Sequence, residues 1–85
     1  MRLREDGVTW QGIDGELVIL DLDSSTYLTT NASGAFTAKL LQEDRTADDL
    51  ADALVAEYAI PAHVARRDAA AFVDALRDRG LLVED

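Results

Sequence analysis

The spacing of apolar residues changes once along this chain, at Asn31, and that change limits the folds open to it. Before Asn31 the apolar residues lie in short runs rich in β-forming side chains. After Asn31 they recur every three or four residues, which is the period of an amphipathic helix. A block of strands followed by a block of helices predicts an α+β domain rather than alternating β-α units.

The first block predicts three strands joined by tight turns. Val8–Ile13 is followed by Asp14-Gly15, a strong two-residue hairpin signal. Glu16–Leu22 then forms the second run, and Asp23-Ser24-Ser25 has short polar side chains that favour a turn. Thr26–Thr30 supplies a third, shorter strand. The sequence therefore predicts a three-stranded antiparallel meander.

The second block predicts three helices with recognisable ends. Asn31 or Ser33 can cap the first helix, and Thr46, with Asp49 three residues later, can cap the second. Pro61 suits the first position of a third helix, and Gly80 suits the position just after its end. The expected apolar stripes of the first two helices are Phe36, Leu40 and Leu41, and Leu50, Leu54, Val55 and Tyr58. Leu81-Leu82-Val83 is expected to pack back as a tail. The whole arrangement is winged-helix-like, with an N-terminal three-stranded antiparallel sheet followed by three helices.

Length and charge exclude several classes of protein. We expect residues 1–85 to form a single domain, with its core at about 8–83, because 85 residues leave no room for a second core. Seventeen acidic and eight basic residues give a net charge of −9, which disfavours a nucleic-acid-binding winged-helix regulator. No cysteine is present, and no apolar run approaches membrane-spanning length, so we expect a cytoplasmic protein.

No pattern in the chain predicts catalysis, a metal site or a cofactor. His63 is the only histidine and has no cysteine or second histidine to complete a metal site. Asp48, Asp49 and Asp52 lie at a predicted helix start, where carboxylates complement the helix dipole. We therefore expect a protein that is not an enzyme.

Ser24 and Ser25 raise an alternative function. A serine behind an aspartate in a small acidic chain is typical of a carrier protein that bears a prosthetic group. Such a serine begins a helix, however, whereas these two lie between runs that favour strands. The carrier hypothesis predicts a mass increase after treatment with a phosphopantetheinyl transferase.

The third predicted strand has features of a peptide-binding edge. Exposed edges are usually blunted by Lys, Pro or a bulge, but Thr26–Thr30 contains neither residue and carries Tyr27 and Leu28 instead. An open edge can pair with an extended peptide, whose side chains then enter neighbouring pockets. The alternative is that the third helix or the C-terminal tail covers this edge.

The third predicted helix can present two apolar stripes, although packing on one core needs only one. The second stripe could line a cleft against the sheet. Arg66 and Arg67 could pair with an acidic peptide there, or be neutralised by Asp68 and Asp74 within the helix surface. One stripe is Val64, Asp68, Ala71, Phe72 and Ala75, and the other is Ala65, Ala69, Val73 and Leu76.

The segments "YLTTNASGAFTAKLL", "TADDLADALVAEY" and "FVDALRDRGLL", in this order, resemble the PqqD-like family over about residues 8–83. These are the leader-recognition domains of ribosomally synthesised, post-translationally modified peptide (RiPP) pathways. The positions that match the family motifs are Asn31, Ser33, Gly34 and Ala35, and Leu76, Gly80, Leu81 and Leu82. Thr30 departs from the leucine that the family pattern has before the asparagine. The chain looks most similar to the stand-alone members from lasso peptide biosynthesis.

This resemblance implies a non-enzymatic adaptor that binds the leader of a precursor peptide. It further implies that the leader adds antiparallel to the sheet edge, beside the third helix. The partners it implies are the precursor leader, a separate cysteine-type leader peptidase and an ATP-dependent cyclase. The contact residues expected from it are Tyr27, Leu28 and Thr29 on the edge, Val64, Arg67, Asp68, Ala71, Phe72 and Leu76 on the helix, and Leu17, Ile19 and Leu20 on the floor of the cleft. If Glu16–Asp21 is the outer strand, it takes over the backbone pairing.

Overall fold

A three-stranded antiparallel meander precedes the helices, as predicted. The structure is a computed structural model that describes residues 1–84. Its sheet has the order β2-β3-β4, with β2 at Val8–Ile13, β3 at Glu16–Asp21 and β4 at Thr26–Thr30. Because β3 is central, the alternative in which Glu16–Asp21 is the outer strand is wrong, and β4 lies at an edge.

Left-handed backbone at the two turns explains their sequences. Asp14 and Gly15 have φ angles of 51° and 81°, as a two-residue hairpin turn with the favoured twist requires. In the second turn Ser25 has a φ of 57°. The Asp23-Ser24-Ser25 segment is therefore a turn between β3 and β4, as its composition predicts.

The structure contains two very short strands that the sequence did not predict. β1 (Arg2–Leu3) pairs antiparallel with β5 (Leu82–Val83), so the two ends of the chain meet in a separate two-stranded sheet. A strand of two residues contains no alternation that a sequence pattern could reveal. Leu3 is 2% exposed, so this small sheet contributes to the core.

Three helices follow the sheet: α1 (Ala32–Leu40), α2 (Ala47–Tyr58) and α3 (Ala62–Asp78). The Asn31 side chain caps α1 by accepting the Gly34 N–H at 2.9 Å. Thr46 and Asp49 form the predicted capping box of α2, with hydrogen bonds of 3.1 and 2.9 Å. Pro61 is the N-cap of α3 rather than its first helical residue, and Gly80 follows the C-cap with a φ of 67°.

The core lies between the inner face of the sheet and the helices. Leu17 and Ile19 of β3 and Leu50 and Leu54 of α2 are buried in it. Of the predicted α1 stripe, Leu41 is fully buried, and Phe36 and Leu40 are half-buried against the core. The buried residues within α1 itself are small and let the helix lie close to the sheet: Gly34, Ala35, Thr37 and Ala38. Phe36 is half-buried and meets Tyr58 of α2 edge to face, with the ring centroids 5.8 Å apart. Tyr58 is 40% exposed, so its assignment to the buried face of α2 needs correction.

Within residues 1–84, no helix combines the length and the apolar character that crossing a bilayer demands.

Arg4 ties the N-terminal segment to the sheet and to the end of α3. Its Nη2 lies 2.8 Å from the buried Asp21 Oδ1, and its Nη1 donates to the Gly80 carbonyl at 2.9 Å. Burial alone would raise the pKa of the Asp21 carboxyl. Hydrogen bonds from Ser24 and Arg4, and from the backbone N–H groups of Asp23 and Ser24, outweigh burial and hold this pKa below its ordinary value.

The lowered pKa makes the contribution of Asp21 to stability depend on pH. Because folding favours the ionised carboxylate, the contribution is full above the ordinary aspartate pKa of about 3.9 and is lost as pH falls through the lower folded-state value. We expect Asp21→Asn to lower the urea midpoint at pH 7. The deficit relative to the wild type shrinks as the pH is taken below about 4.

Urea unfolding followed by circular dichroism at several pH values measures this difference. Asp52→Asn is the control, because Asp52 is exposed on α2. A deficit for Asp21→Asn that stays constant down to pH 2 would contradict the role assigned to the Arg4–Asp21 pair.

Candidate functional site

A cleft of about 400 Å³ lies between β4 and α3. We call it the β4–α3 cleft. One wall is the end of β4, the other is the middle of α3, and the start of α1 and one residue of α2 close its base. Its lining residues are Leu28, Thr29, Thr30, Asn31, Ser33, Gly34, Thr37, Leu54, Asp68, Ala71, Phe72 and Ala75.

The outer edge of β4 is open toward this cleft. β4 pairs with β3 on one side only, from Thr26 opposite Asp21 to Thr30 opposite Leu17. Within residues 1–84 no further strand pairs with it, and the C-terminal tail pairs with β1 instead. The alternative in which the tail covers this edge is therefore wrong. Edge residues of an antiparallel sheet direct alternate N–H and C=O groups away from their partner, and these groups remain available along β4.

The two stripes of α3 separate as the sequence indicates. Ala65, Ala69, Val73 and Leu76 are buried and pack on the core. Ala71, Phe72 and Ala75 face the cleft, together with the more exposed Asp68. Alanine in the cleft-facing stripe leaves room between the helix and the strand, because a larger side chain would fill it.

Gly34 allows α1, β4 and α3 to approach closely at the base of the cleft. A Cβ added there would lie 2.8 Å from the Thr30 Cβ and 3.4 Å from the Phe72 Cε1. Such a contact with a Cβ cannot be relieved by a side-chain rotation. Gly34 therefore lets α1 lie directly against Thr30 at the base of the cleft, with the Phe72 ring in ordinary contact beside it.

Five of the predicted contact residues line the cleft together: Leu28, Thr29, Asp68, Ala71 and Phe72. Val64 and Arg67 lie on α3 but are not among the lining residues. Arg67 Nε contacts Asp68 Oδ1 at 3.4 Å, so these two charges partly neutralise each other on the helix surface. Asp68 is the only charged side chain among the lining residues.

Three predicted contact residues are core residues instead. Leu17, Ile19 and Leu76 are 4, 0 and 0% exposed. A ligand cannot touch them in this structure, so their assignment as contact residues needs correction. Their side chains support the walls of the cleft from behind.

Leu20 and Tyr27 lie on the opposite face of the sheet. They are cross-strand partners and line a separate hollow of about 390 Å³ with Val18 and Trp10. Leu20 therefore does not form the floor of the cleft. Tyr27 is 67% exposed on that outer face, although its backbone belongs to the open edge.

Sequence reasoning missed the part of the lining that comes from α1 and α2. Asn31 and Ser33 were recognised as capping residues, and Gly34 as a motif position, but none as part of a cleft. The signal was present, because a buried glycine just after a cap indicates close approach of another element. Thr37 and Leu54 gave no such signal, since a threonine and a leucine on helices are most often packing residues.

The structure also places the other residues that the sequence offers as candidates for metal binding or modification. No group of three or more potential metal ligands occurs within residues 1–84. His63 is exposed, and the Asp49 carboxylate is occupied by the Thr46 cap, whose backbone and side-chain hydrogen bonds lower its pKa. Ser24 and Ser25 lie in the β3–β4 turn rather than at a helix start, which removes the structural basis of the carrier hypothesis.

Comparisons with known proteins agree with this geometry. A family model described as Coenzyme PQQ synthesis protein D (PqqD) matches residues 16–82. A structure of TbiB1 in complex with the TbiA(beta) leader peptide is 33% identical to this chain, with a TM-score of 0.84 and 100% of both chains covered. A lasso peptide synthetase B1 complexed with the leader peptide is 30% identical, with a TM-score of 0.81, over 98% of this chain and 96% of that one. A search of curated proteins gave no match.

The close packing at Gly34 predicts that Gly34→Ala is destabilising. Alanine favours a helix by about 1 kcal/mol over glycine, but overpacking against Thr30 costs about 1–3 kcal/mol. We expect a net loss in the free energy of unfolding of up to about 2 kcal/mol. Urea titration measures it.

Gly12→Ala is the matched control for this substitution. Gly12 lies in β2, and an added Cβ would meet only the Glu16 carbonyl oxygen, at 3.8 Å. Its effect is expected to stay within about 0.5 kcal/mol of the wild type. A stabilised Gly34→Ala variant would show that α1, Thr30 and Phe72 can move apart without cost.

Proposed function

Because this chain belongs to the PqqD family, we propose that it is an adaptor that binds the leader segment of a ribosomally synthesised precursor peptide. Both similar structures contain a leader peptide, and one of them is a lasso peptide synthetase B1, so a lasso peptide precursor is the proposed ligand. The role is recognition and presentation, without catalysis by this chain.

One observation carries the proposal: the open edge of β4 faces α3 across a cleft. An extended peptide added to β4 gains a ladder of backbone hydrogen bonds. Its side chains alternate between the two faces of the sheet, so every second one points toward the cleft. Leu28, Ala71 and Phe72 offer those side chains an apolar surface, and Asp68 offers a charged acceptor at one end.

The other edge of the sheet is a poorer site for the same ligand. β2 also pairs on one side only, so its outer edge is open as well. The hollow next to it lies on the outer face of the sheet, is lined only by strand residues and has no helix opposite. A peptide on β2 would gain backbone pairing but no enclosing wall for its side chains. We therefore assign the leader to β4.

The adaptor role requires partners that act on the bound precursor. We propose that these are a separate cysteine-type leader peptidase and an ATP-dependent cyclase, as the resemblance to lasso peptide pathways implies. The site of action would be the cytoplasm, where the precursor is translated. A preformed edge and cleft suit this role, because only the leader then has to lose conformational freedom on binding.

Binding of a fluorescently labelled leader tests the proposal. The probe is a synthetic peptide that spans the leader of the precursor encoded beside the gene for this chain, and the readout is anisotropy. We expect saturable binding by the wild type. Ala71→Arg is expected to weaken it about tenfold or more, because the arginine fills the cleft and prevents close approach of the peptide.

Ala70→Arg is the matched control, because Ala70 is exposed on the same helix and is not among the lining residues. Both alanines are exposed, so neither substitution disturbs the core. Phe72 is a less suitable target, since it is half-buried and packs on the core as well as lining the cleft. No saturable binding by the wild type would refute the proposed function. Equal affinities for the two arginine variants would refute the assignment to this cleft.

A further inference from the structure

The groove beside α3 continues beyond the β4–α3 cleft. Another hollow, of about 550 Å³ and distinct from the one on the outer face of the sheet, lies at the start of β4. It is lined by Ser24, Ser25, Thr26, Tyr27, Asp78 and Arg79. We call it the 24–27 hollow. On the strand side, residues 28–31 line the cleft and residues 24–27 line the hollow. On the helix side, the lining passes from Asp68–Ala75 to Asp78 and Arg79. The segment that contains β4 therefore lines both spaces on one side, and α3 with its C-cap lines both on the other.

This order of lining residues gives the groove a direction and a length. α3 runs antiparallel to β4, because the C-terminal end of the helix lies beside the first residues of the strand. Strand residues pair one to one, so an extended peptide alongside residues 24–31 would place about eight residues in the groove. β4 itself, with five residues, accounts for only part of that length.

The chemistry changes along the groove. The cleft is lined by polar and apolar side chains in similar number, with Asp68 as its charged group, whereas the 24–27 hollow offers the hydroxyls of Ser24, Ser25 and Thr26 and the guanidinium of Arg79. Ser24 Oγ and Thr26 Oγ1 are 2.7 Å apart, so this turn is held in a defined shape. A segment that occupies the hollow is therefore expected to carry a hydrogen-bond acceptor for these donors.

Arg79 is the group in the hollow that is best placed to bind such a segment. Its Nη1 donates to the Ala75 carbonyl at 3.3 Å, and no carboxylate within residues 1–84 forms an ion pair with it. Arg77, by contrast, pairs with both Asp74 and Glu84. Asp78 also lines the hollow and offsets the charge of Arg79, so the hollow suits a hydrogen-bond acceptor rather than a cluster of acids.

We infer that the 24–27 hollow binds the part of the leader that lies immediately C-terminal to the segment paired with β4. There Arg79 donates hydrogen bonds to an acceptor of that part. The inference rests on the proposed function. Antiparallel pairing is the commoner mode, and a peptide paired in this way leaves β4 at Thr26, so that its next residues enter this hollow. These residues lead toward the part of the precursor that is processed, so the adaptor would hold the chain on the approach to the cleavage point.

Two nested sets of labelled leader peptides test the inference. One set is shortened from the C-terminus by two residues at a time, and the other is shortened likewise from the N-terminus. Each peptide is titrated against the wild type, Arg79→Met and Arg66→Met. Arg66 is exposed on the same helix and lines neither space, and methionine keeps the aliphatic stem in both variants.

Loss of the Arg79 guanidinium is expected to weaken binding of the full leader about three- to tenfold, the usual effect of one or two hydrogen bonds. Arg66→Met is expected to change it less than about twofold. Shortening the leader from its C-terminus should weaken binding to the wild type about three- to tenfold as well. It should also abolish the difference in affinity between the wild type and Arg79→Met. N-terminal shortening should preserve that difference.

Three results would overturn the inference without refuting the proposed function. Equal effects of the two methionine variants on the full leader would exclude a specific contact with Arg79. A difference that disappears on N-terminal rather than C-terminal shortening would place the opposite end of the leader in the hollow. C-terminally shortened peptides that bind the wild type as tightly as the full leader does would exclude binding in the hollow. That result would leave the proposed function intact. If no peptide binds the wild type, the proposed function fails, and this inference fails with it.

Discussion

The pairing of the two chain ends with each other keeps the outer edge of β4 open. β5 adds to β1, and the Arg4 N–H donates to the Leu81 carbonyl at 2.8 Å just beyond this ladder. The Arg4 side chain extends the connection to Gly80 and to Asp21 at the end of β3. A C-terminal tail with two apolar residues would otherwise be a suitable fourth strand for the meander. Because it is held on β1, the backbone groups along β4 remain available for a strand from another chain.

Besides an open strand edge, the β4–α3 cleft requires a helix that packs on the core and still leaves space beside the strand. α3 meets it by using small residues on both of its stripes. Ala65 and Ala69 bring the helix close to the core, where both are almost fully buried. Ala71 and Ala75 keep the cleft from being filled. Phe72 belongs to both regions, since it packs against the core and lines the cleft. Phe72 also lies next to Gly34 of α1, so α1, β4 and α3 pack together at the base of the cleft.

The sequence predicted the features that local chemistry determines. Asp14-Gly15 specifies its hairpin, Thr46 and Asp49 cap α2, and Gly80 ends α3, each through atoms a few residues apart. β1 and β5 were missed because their pairing joins residues about eighty positions apart. Register explains why Leu20 does not line the cleft, because successive strand residues point to opposite faces. Ile19 and Leu20 cannot both face the helices, and the pairing of Ile19 with Leu28 and of Leu20 with Tyr27 decides which of them does.

A peptide bound beside β4 would make two kinds of contact, through its backbone and through its side chains. Only the side-chain contacts can distinguish one leader sequence from another. Backbone pairing along β4 is open to any extended chain, so it contributes affinity without choosing among sequences. The net charge of −9 acts mainly through long-range repulsion of acidic chains, which physiological salt screens beyond about 8 Å. Selection among leaders therefore depends on the few side chains that face the bound peptide. In the proposed complex, Phe72 and Leu28 favour an apolar side chain, whereas Asp68 disfavours a carboxylate placed beside it. Because these groups sit on a preformed helix and strand, a leader that fits them has to order only itself.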